Sequence, residues 1–378
     1  MDRKEEAWVI LQLIPEITRP RFYALRSAFG SPDGILGADA SKLARIPTLD
    51  ATAVSKIVQY RDHVDLESEY RLIEENSVEL LTLDSPDYPK ALLSSAMPPP
   101  LLYLKGELKE CDKYALALVG ARECTSYGRM VTREFAACFA KSGITVLSGL
   151  ARGIDSVAHE ETLRCGGRTV AVLGHGLARY VSAAAARLAG EIAQNGALIS
   201  EFSMATSAYP FNFPQRNWTL AVLSLGVIVV EASLTSGALI TAGHALRENR
   251  AVYAVPGDIF RKTSQGANAL LQQGAHAVQS GDDVLLDLQD QLRDMLTKEK
   301  KESGQTESSP AMNRPRLSED EELILNLIAK EPVQFEELGY KLKEKGQTVG
   351  SLATILLQLE MKRLIRQLPG KRFVSTNV

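Results

Sequence analysis

The chain has 378 residues, of which 45% are hydrophobic and 24% are charged, and its net charge is −3. These values are ordinary for a globular protein with a core, and the length suggests two or three domains. Because the balance of charge is slightly acidic, a nucleic-acid site spread over the whole surface is excluded, and any such site must be a local patch.

The sequence carries no signal for export, for a membrane or for a metal. The first residues, MDRKEEAW, lack the apolar segment of a signal peptide, and the longest apolar run, 221–230, is far too short to span a bilayer. The cysteines are not paired at metal-ligand spacing, which predicts reduced thiols. They are Cys111, Cys124, Cys138 and Cys165. We therefore expect a cytoplasmic protein, not associated with a membrane, that holds no metal and no cofactor.

Residues 1–75 are predicted to form short helices, and two segments echo each other: LIPEITRPRFYALRSAFGS from Leu13 and RIPTLDATAVSKIVQY from Arg45. Each has an Ile-Pro, a short turn and an amphipathic helix, as in a paired helix-hairpin-helix module. DNA-binding hairpins of that type have a Gly-x-Gly turn that brings N–H groups to a phosphate, whereas these turns lack glycine. A packing or partner-binding role is favoured over DNA binding.

Residues 76–113 are extended and rich in proline, with three consecutive prolines at 98–100 that favour polyproline geometry. They are predicted to form a connector that packs along the next domain.

A different pattern begins at Tyr114 and fills the domain predicted over residues 114–287. Short aliphatic or β-branched runs alternate with glycine turns and helical stretches, which predicts a mostly parallel, Rossmann-like α/β sheet covered on both faces. The predicted strands are 115–119, 145–148, 169–173, 197–200, 227–230, 251–255 and 276–278. Ligands of such sheets bind at the carboxyl ends of the strands.

Three strand ends carry glycine loops that contain an arginine: VGARECTSYG, SGLARGIDSVAH and VLGHGLARY. Backbone N–H groups at a helix N-terminus attract anions, and an arginine in the turn adds a bidentate fork for a phosphate. Arg122, Arg152 and Arg179 are therefore predicted to hold phosphates, with Ser126 and Asp155 as N-caps of the helices that follow. The glycines of these loops are Gly120, Gly128, Gly149, Gly153, Gly174 and Gly176.

In a fourth loop, within VVEASLTSGALITAGHAL, Glu231 ends the strand and Ser236-Gly237 precede a helix. Between positions 114 and 261 the chain has 12 arginines and one lysine against 10 acids, although it is acidic overall. Arginine is favoured over lysine for phosphate forks and base stacking, so the charge supports a polyanion as the ligand. For most of the other arginines the alternative is a solvated helix face.

Residues 288–316 are charged and contain serine and proline, which predicts a flexible linker. Residues 317–378 begin with an N-cap at Ser318 and continue as three helices and a hairpin, which describes a winged helix. The predicted recognition helix, 348–360, contains no lysine or arginine, so we favour a contact with protein. The alternative is DNA contact by the wing, through Arg366, Lys371 and Arg372.

Several motifs in fixed order resemble the DNA-processing protein A (DprA/Smf) family: VGARECTSYG, SGLARGIDSVAH, VLGHGL, NGALISEF, FPQRNWTLAVLSLGVIVVEASLTSGALITAGHAL, VYAVPGDI and SQGANALLQQGA. The resemblance covers the whole Rossmann-like core and agrees with the family's three-part layout. It implies a homodimer without catalytic activity that binds single-stranded DNA, protects incoming DNA during natural transformation and loads RecA recombinase onto it.

By this resemblance Arg122 grips the DNA backbone and the glycine loops shape the pocket, which Phe213, Pro214, Arg216 and Asn217 border. Together with the loop residues, the candidate DNA site consists of Gly120, Arg122, Ser126, Gly128, Ser148, Gly149, Arg152, Gly153, Gly174, Gly176, Arg179, Phe213, Arg216, Asn217, Ser236 and Gly237. The resemblance places the dimer contact near 268–274, with Leu270 and Leu271 as its apolar candidates. The alternative is that these leucines face the domain's own core.

One segment departs from the family. After VLGHGL the family has an Asp, a Tyr-Pro and an Asn, with a residue that touches DNA, whereas this chain reads ARYVSAAAARLAG. The alanines at 183–186 cannot contact a phosphate or a base, which leaves Arg179 and Tyr180 as local candidates. The alternative for the alanines is a stable helix start.

Enzymes with a similar core were weighed against this interpretation. The first loop is not G-x-G-x-x-G, and the second strand ends without the acid that holds a ribose, which argues against a dehydrogenase. A nucleotide-processing hydrolase of a related Rossmann-like group, using Glu231, is the alternative function. Such phosphoribohydrolases carry a Pro-Gly-Gly-x-Gly-Thr turn with a following glutamate, and this chain has TSGALITAGHA instead.

Overall fold

The computed structural model describes residues 3–292, 317–328, 332–344, 352–362, 364–368 and 370–376. Nine strands form one sheet: β1 (Val78–Thr82), β2 (Leu101–Gly106), β3 (Ala115–Val119), β4 (Thr145–Ser148), β5 (Thr169–Leu173), β6 (Gly196–Ser200), β7 (Gly226–Val229), β8 (Ala251–Ala254) and β9 (His276–Ala277). Their order is β1-β2-β6-β5-β4-β3-β7-β8-β9. The seven strands predicted for the core are confirmed, with ends shifted by at most one residue.

Strands β3 to β9 are parallel to one another, and β2 runs antiparallel to both β1 and β6. The order reverses between β3 and β7, because β4 to β6 follow on one side of β3 and β7 to β9 extend on the other. A reversal of this kind leaves a crevice at the carboxyl ends of the two central strands, where ligands of open α/β sheets bind.

Helices cover both faces of this sheet. The helices before β3 are α1 (Arg3–Leu13), α2 (Arg19–Phe29), α3 (Pro32–Leu36), α4 (Ala40–Leu43), α5 (Ala51–Tyr60), α6 (Leu66–Glu75) and α7 (Lys90–Leu93). Those after β3 are α8 (Ser126–Lys141), α9 (Ile154–Arg164), α10 (Ala183–Asn195), α11 (Asn212–Leu223), α12 (Gly237–Arg247), α13 (Lys262–Gln272) and α14 (Gly281–Asp287). A 3-10 turn, Glu110–Tyr114, leads into β3.

The central strands read as unbroken apolar runs because both of their faces are buried. In β3, Leu116 and Leu118 point into a core shared with α8 and α9, whereas Ala115, Ala117 and Val119 point into a core shared with α11 and α12. The first face therefore takes large side chains, and small residues let the helices of the second face approach closely.

The segment 76–113, predicted to be a connector, is part of the sheet, so this prediction is corrected. It contributes β1 and β2, which extend the sheet beyond β6. The prolines end just before β2, whose first four residues are all buried. Tyr88 is buried and donates its hydroxyl to the carbonyl oxygen of Pro99 at 2.6 Å, which fixes the proline segment against the sheet.

The N-terminal helices pack on the sheet face that also carries α10, which agrees with the packing role favoured from the sequence. Their apolar side chains share one core with β2, β5 and β6. The two echoed turns lie side by side, because Arg21 donates to the carbonyl oxygens of Glu16 and Thr48 at 3.1 Å each. The carboxylate of Glu16 pairs with Lys56 at 2.9 Å. These polar groups hold the module together internally.

Glu201, directly after β6, anchors this N-terminal module to the core. Its buried carboxylate forms an ion pair with Arg19 and accepts hydrogen bonds from Thr219 and Gln215. The guanidinium carbon of Arg19 also lies 4.6 Å from the ring centre of Trp218 on α11. One carboxylate thus joins α2, the end of β6 and α11.

A winged helix occupies the C-terminal residues, as predicted. It consists of α15 (Glu319–Leu327), β10 (Val333–Gln334), α16 (Phe335–Glu344), α17 (Leu352–Met361), β11 (Ile365–Leu368) and β12 (Arg372–Ser375), with strand order β10-β12-β11. Ser318 caps α15 in a capping box with Glu321, which confirms the predicted N-cap.

The predicted recognition helix begins at Leu352 within the described residues, and it packs against the core domain. Its apolar side chains join the core that α8 and α14 form. Thr354 donates to the hydroxyl of Ser142 at 3.3 Å, and Lys371 of the wing pairs with Asp283 at 3.1 Å. The favoured protein contact is thus made with the same chain, and the wing lysine also faces the core.

The predicted linker, 288–316, lies outside the described residues from position 293 onward. At its start, Leu288 and Leu292 are buried in the core that the winged helix shares, so these first residues are packed rather than flexible. Among the described residues, no helix combines the length and the apolar character needed to cross a membrane.

Replacing Glu201 with Ala is expected to lower the free energy of unfolding by about 3 kcal/mol, because it leaves Arg19, whose side chain is only 16% exposed, without its partner. Chemical denaturation measures this value. Glu191→Ala is the matched control, because its carboxylate is 54% exposed and pairs with Arg187 at 3.8 Å. We expect a change below about 0.5 kcal/mol there. Equal, small losses in both variants would show that Glu201 does not anchor the module.

Candidate nucleic-acid interface

A cavity of about 430 Å³ opens at the carboxyl ends of β3 and β7, where the strand order reverses. Eight of the sixteen predicted site residues line it. They are Gly120, Arg122, Gly149, Phe213, Arg216, Asn217, Ser236 and Gly237. The other eight do not: Ser126, Gly128, Ser148, Arg152, Gly153, Gly174, Gly176 and Arg179.

The loop after β3 is shaped by the carboxylate of Glu231, at the end of β7. Glu231 is buried and accepts from the backbone N–H of Thr125 at 2.8 Å and from its hydroxyl at 2.6 Å. Thr125, not Ser126, is the N-cap of α8, and its hydroxyl accepts from the N–H of Gly128 at 3.1 Å. The prediction of Ser126 as the cap was wrong by one residue.

A side chain at position 128 would collide with the carboxylate of Glu231, so Gly128 is required there for close packing. Its role is to support the loop and not to line the cavity. The same packing removes the candidate acid of the alternative hydrolase, because both oxygens of Glu231 are bonded to Thr125 and Glu231 is not among the cavity residues.

The loop after β4 is organised by Asp155, which was predicted as an N-cap. The N-cap of α9 is Gly153 (φ +92°), and Asp155 lies in the first turn. Its buried carboxylate accepts from the N–H groups of Gly149 at 3.1 Å and Ala151 at 3.4 Å. Burial raises the pKa of Asp155, and the nearby Arg216 partly offsets this effect. Asp155 thus fixes the backbone of the loop after β4 through these hydrogen bonds. The sequence suggested a capping role instead, because Asp155 lies near the start of α9.

Two other predicted residues of this loop do not reach the cavity. The hydroxyl of Ser148 is buried and donates to the carbonyl oxygen of Leu118 at 2.6 Å, so it joins β4 to β3. Arg152 is exposed and pairs with Glu123 at 2.7 Å. A ligand phosphate would have to compete with that carboxylate for Arg152.

Arg216 lies at the floor of the cavity and is 5% exposed. Its guanidinium donates to the carbonyl oxygens of Gly149 and Val172 and to the amide oxygen of Asn217. Burial lowers the pKa of Arg216, and Asp155 partly offsets the effect. A side chain at position 149 would collide with the guanidinium. Most donors of Arg216 are therefore used to hold the strand ends together.

Arg122 has the opposite environment. It is exposed at the rim of the cavity, and its guanidinium carbon lies 5.1 Å from the ring centre of Phe213. Within the described parts of the chain, its side chain makes no ion pair and no hydrogen bond. The stacked ring orients the guanidinium, because cations are attracted to the faces of aromatic rings. The donors of Arg122 are thus held in place and open to a ligand.

The fourth loop supplies a helix N-terminus to the cavity. Ser236 is the N-cap of α12 and accepts from the N–H of Ala238 at 3.3 Å, as its predicted place before a helix suggests. Asn217 donates to the carbonyl oxygen of Gly237 at 3.2 Å, so α11 holds this helix start beside the floor. With Arg122 and Arg216, the N-terminus of α12 favours an anion in the cavity.

The loop after β5 lies at the side of the cavity. Its backbone is hydrogen-bonded to the segment after β6. The N–H of Gly176 donates to the backbone carbonyl oxygen of Thr206, and the N–H of Ala178 donates to that of Met204. Arg179 is exposed there. The alanines at 183–186 begin α10, which Ser182 caps by accepting from the N–H of Ala185 at 3.1 Å. This agrees with the helix-start alternative.

The predicted dimer candidates separate in the structure. Leu270 is 7% exposed and belongs to the core beneath α13, so it is not available to a second chain and its prediction was wrong. The sequence alone does not separate the two leucines, because it does not show which face of α13 packs on the sheet. Leu271 is partly buried at the rim of that core.

Comparisons with known proteins agree with this geometry. The family model described as DNA recombination-mediator protein A matches residues 79–289, and the DprA winged helix domain model matches residues 308–371. The chain is 36% identical over 310 residues to Protein Smf of Escherichia coli, which covers 81% of this chain and 79% of that protein.

Similarity extends to a DNA processing protein DprA of Streptococcus pneumoniae, which is 38% identical over 202 residues, covering 53% of this chain and 71% of that protein. The X-ray structure of DNA processing protein A from Streptococcus pneumoniae superposes with a TM-score of 0.65 at 29% identity. It covers 75% of this chain and 97% of that chain. The family resemblance and the fold class predicted from the sequence are confirmed.

Beneath the cavity, His159 on α9 is a buried group whose charge the fold opposes. Its Nδ1 lies 2.7 Å from the hydroxyl of Thr169, which itself donates to the carbonyl oxygen of Val146. The ring therefore donates from Nδ1 and is neutral. Burial, together with Arg216, lowers the pKa of His159 from 6.5 to about 3.

His159 is expected to make the fold sensitive to acid. The unfolded chain takes up a proton below about pH 6.5 that the folded chain excludes until about pH 3, so stability falls as the pH falls through this window. His159→Gln should reduce the stability lost between pH 7 and pH 5 by about 2 kcal/mol. Denaturation at both pH values measures it, with the exposed His63→Gln as control. Parallel pH profiles for all three proteins would contradict the assignment.

Proposed function

The chain belongs to the DNA recombination-mediator protein A family, and from this premise we propose that it binds single-stranded DNA in the cavity at the carboxyl ends of β3 and β7. The observation that carries the proposal is the pair of Arg122 and Phe213, an exposed cation held over an aromatic ring at the rim of that cavity. A phosphate and an adjacent base are the ligand groups that such a pair fits.

The depth of the cavity supports a phosphate as the group that enters it. Its floor has the buried Arg216, its wall has the N-terminus of α12, and its rim has Arg122. Two acids line the cavity: Asp155 is buried and bonded to backbone N–H groups, and the exposed Glu123 is paired with Arg152 at 2.7 Å.

Following the family resemblance, we propose that the protein acts by binding and not by catalysis. In this role it protects incoming strands during natural transformation and loads RecA recombinase onto them, in the cytoplasm. A gel shift with single- and double-stranded oligonucleotides, run with and without RecA, tests the ligand and the partner separately. A preference for duplex DNA would overturn the first part, and RecA assembly that ignores the protein would overturn the second.

Replacing Arg122 with Ala is expected to weaken binding of oligo-dT and to flatten its dependence on salt. Each phosphate contact to a single strand contributes a slope of about −0.7 in log K against log salt, so the variant should lose about that much. Fluorescence anisotropy at several salt concentrations measures both quantities. Arg187→Ala is the matched control, because Arg187 is 79% exposed on α10 and pairs with Glu191. Unchanged binding of a folded Arg122→Ala protein would remove the proposed site.

We further propose a homodimer formed beside β9, because two linked pockets raise the effective concentration of a strand at the second one. Both residues of β9 are exposed at the edge of the sheet, and Leu271 is only partly buried next to it. Two such edges related by a two-fold axis would present the same apolar surface to each other.

For this dimer, Leu271→Arg is expected to give a folded monomer that binds DNA more weakly. Light scattering gives the mass, and circular dichroism reports folding. Leu246→Arg on α12 is the control, because Leu246 is 57% exposed elsewhere on the same face of the sheet. A folded Leu271→Arg dimer would exclude this edge, and an unfolded protein would assign Leu271 to the core.

A further inference from the structure

We propose that Tyr209 and Phe211 form a second nucleic-acid contact, a base-stacking platform that extends the path of the strand beyond the Arg122 cavity. The inference rests on the proposed function and adds the chemical group that is recognised, the face of a base. The two rings stack nearly parallel, with their centres 5.3 Å apart and their planes tilted by 5°.

Both rings are open to solvent, although they are large and apolar. Tyr209 is 50% exposed and Phe211 is 74% exposed. Two adjacent exposed rings are a costly arrangement in water, and exposed apolar patches of this kind mark binding surfaces. Stacking leaves an outer face of the pair open, and a base has a flat face of matching chemistry.

The position of Phe211 is unusual for a helix. It is the N-cap of α11 and makes no side-chain hydrogen bond there, whereas serine, threonine, aspartate or asparagine would stabilise the helix start. Phe211 therefore contributes nothing to the helix that would account for an aromatic residue. Phe213, which stacks with Arg122, follows two residues later, so the Cα atoms of the two phenylalanines are at most about 7 Å apart along the chain.

The platform is held rigidly. Asn212 is buried, and its side chain donates to the carbonyl oxygens of Gly174 at 3.1 Å and Ser207 at 3.4 Å. The backbone N–H of Asn212 donates to the backbone carbonyl oxygen of Tyr209 at 3.0 Å. A ligand that stacks on these rings thus meets a preformed surface. Little conformational entropy is lost in ordering the rings, which favours binding.

The surrounding charge favours a nucleic acid over a purely apolar partner. The segment that carries the rings is hydrogen-bonded through Met204 and Thr206 to the loop that contains the exposed Arg179. Arg122 lies over the ring of Phe213, two residues after Phe211. Exposed aromatic rings whose neighbouring segments carry exposed arginines suit a nucleic acid, because bases stack on the rings while arginines neutralise phosphates.

The test uses two ligands of equal length, oligo-dT and an abasic oligonucleotide that keeps the sugar-phosphate backbone. The full-length double variant Tyr209→Ala, Phe211→Ala is expected to bind oligo-dT about 5- to 150-fold more weakly, the range for loss of base stacking. Its affinity for the abasic strand should change by less than about twofold, because the arginines remain. The salt dependence of binding should also stay the same.

Two further variants sharpen the result. The double variant Tyr209→Phe, Phe211→Tyr keeps both rings and should bind oligo-dT as the native protein does. Phe260→Ala removes a ring that is 89% exposed after β8, which four intervening strands separate from β6, and should have no effect. Equal losses for both ligands in the alanine variant would overturn the platform, as would unchanged binding of oligo-dT, which would assign the rings to a protein contact.

The outcome also separates this inference from the proposed function. If the native protein fails to bind oligo-dT, the proposed function fails and the platform fails with it. If oligo-dT binding depends on Arg122 but not on the two rings, only the platform is overturned.

Discussion

The candidate site depends on one buried cation. Arg216 sits on α11 beneath the cavity, and its guanidinium holds the carbonyl oxygens at the ends of β4 and β5. A buried charge is tolerated only when it is hydrogen-bonded and compensated, and here the carbonyl groups and the nearby Asp155 supply both. Asp155 in turn fixes the N–H groups of the loop after β4. The glycine at 149 follows from this arrangement, because no side chain fits beside the guanidinium.

From this floor the rest of the binding surface is built outward through α11. The same helix carries Phe213, which orients Arg122, and Asn217, which holds the start of α12. Its other side is tied by Glu201 to the N-terminal module. The module has no glycine turn with which to bind a phosphate, yet through this contact it supports the helix that carries the proposed DNA site. A change at the Arg19–Glu201 pair can therefore alter the cavity without lying in it.

The sequence predicted the fold well because its strongest signals are local. Unbroken apolar runs of five residues or fewer, such as 115–119, favour buried strands of a sheet covered on both faces, and glycine turns mark their ends. The prediction failed where a residue's role depends on distant parts of the chain. Ser126 and Asp155 have the right chemistry for caps, but Glu231 draws Thr125 into the cap position, and Asp155 turns inward toward β4. Leu270 has no local feature that separates a core position from an interface.

The winged helix shows the same limit of prediction from sequence. Its docking against the core domain also determines how the winged helix can act. A helix without basic residues argues against reading a DNA groove, but only the tertiary structure shows that α17 lies against α14 and that the wing's Lys371 pairs with Asp283. A recognition helix buried in this way cannot enter a groove unless the domain leaves the core, which would expose its apolar face to water. The docked domain therefore leaves the surface around α11 as the site of the proposed DNA binding. There Arg122 stacks on Phe213 at the cavity, and the stacked rings of Tyr209 and Phe211 precede Phe213 in the same segment of the chain, which is the path proposed for the strand.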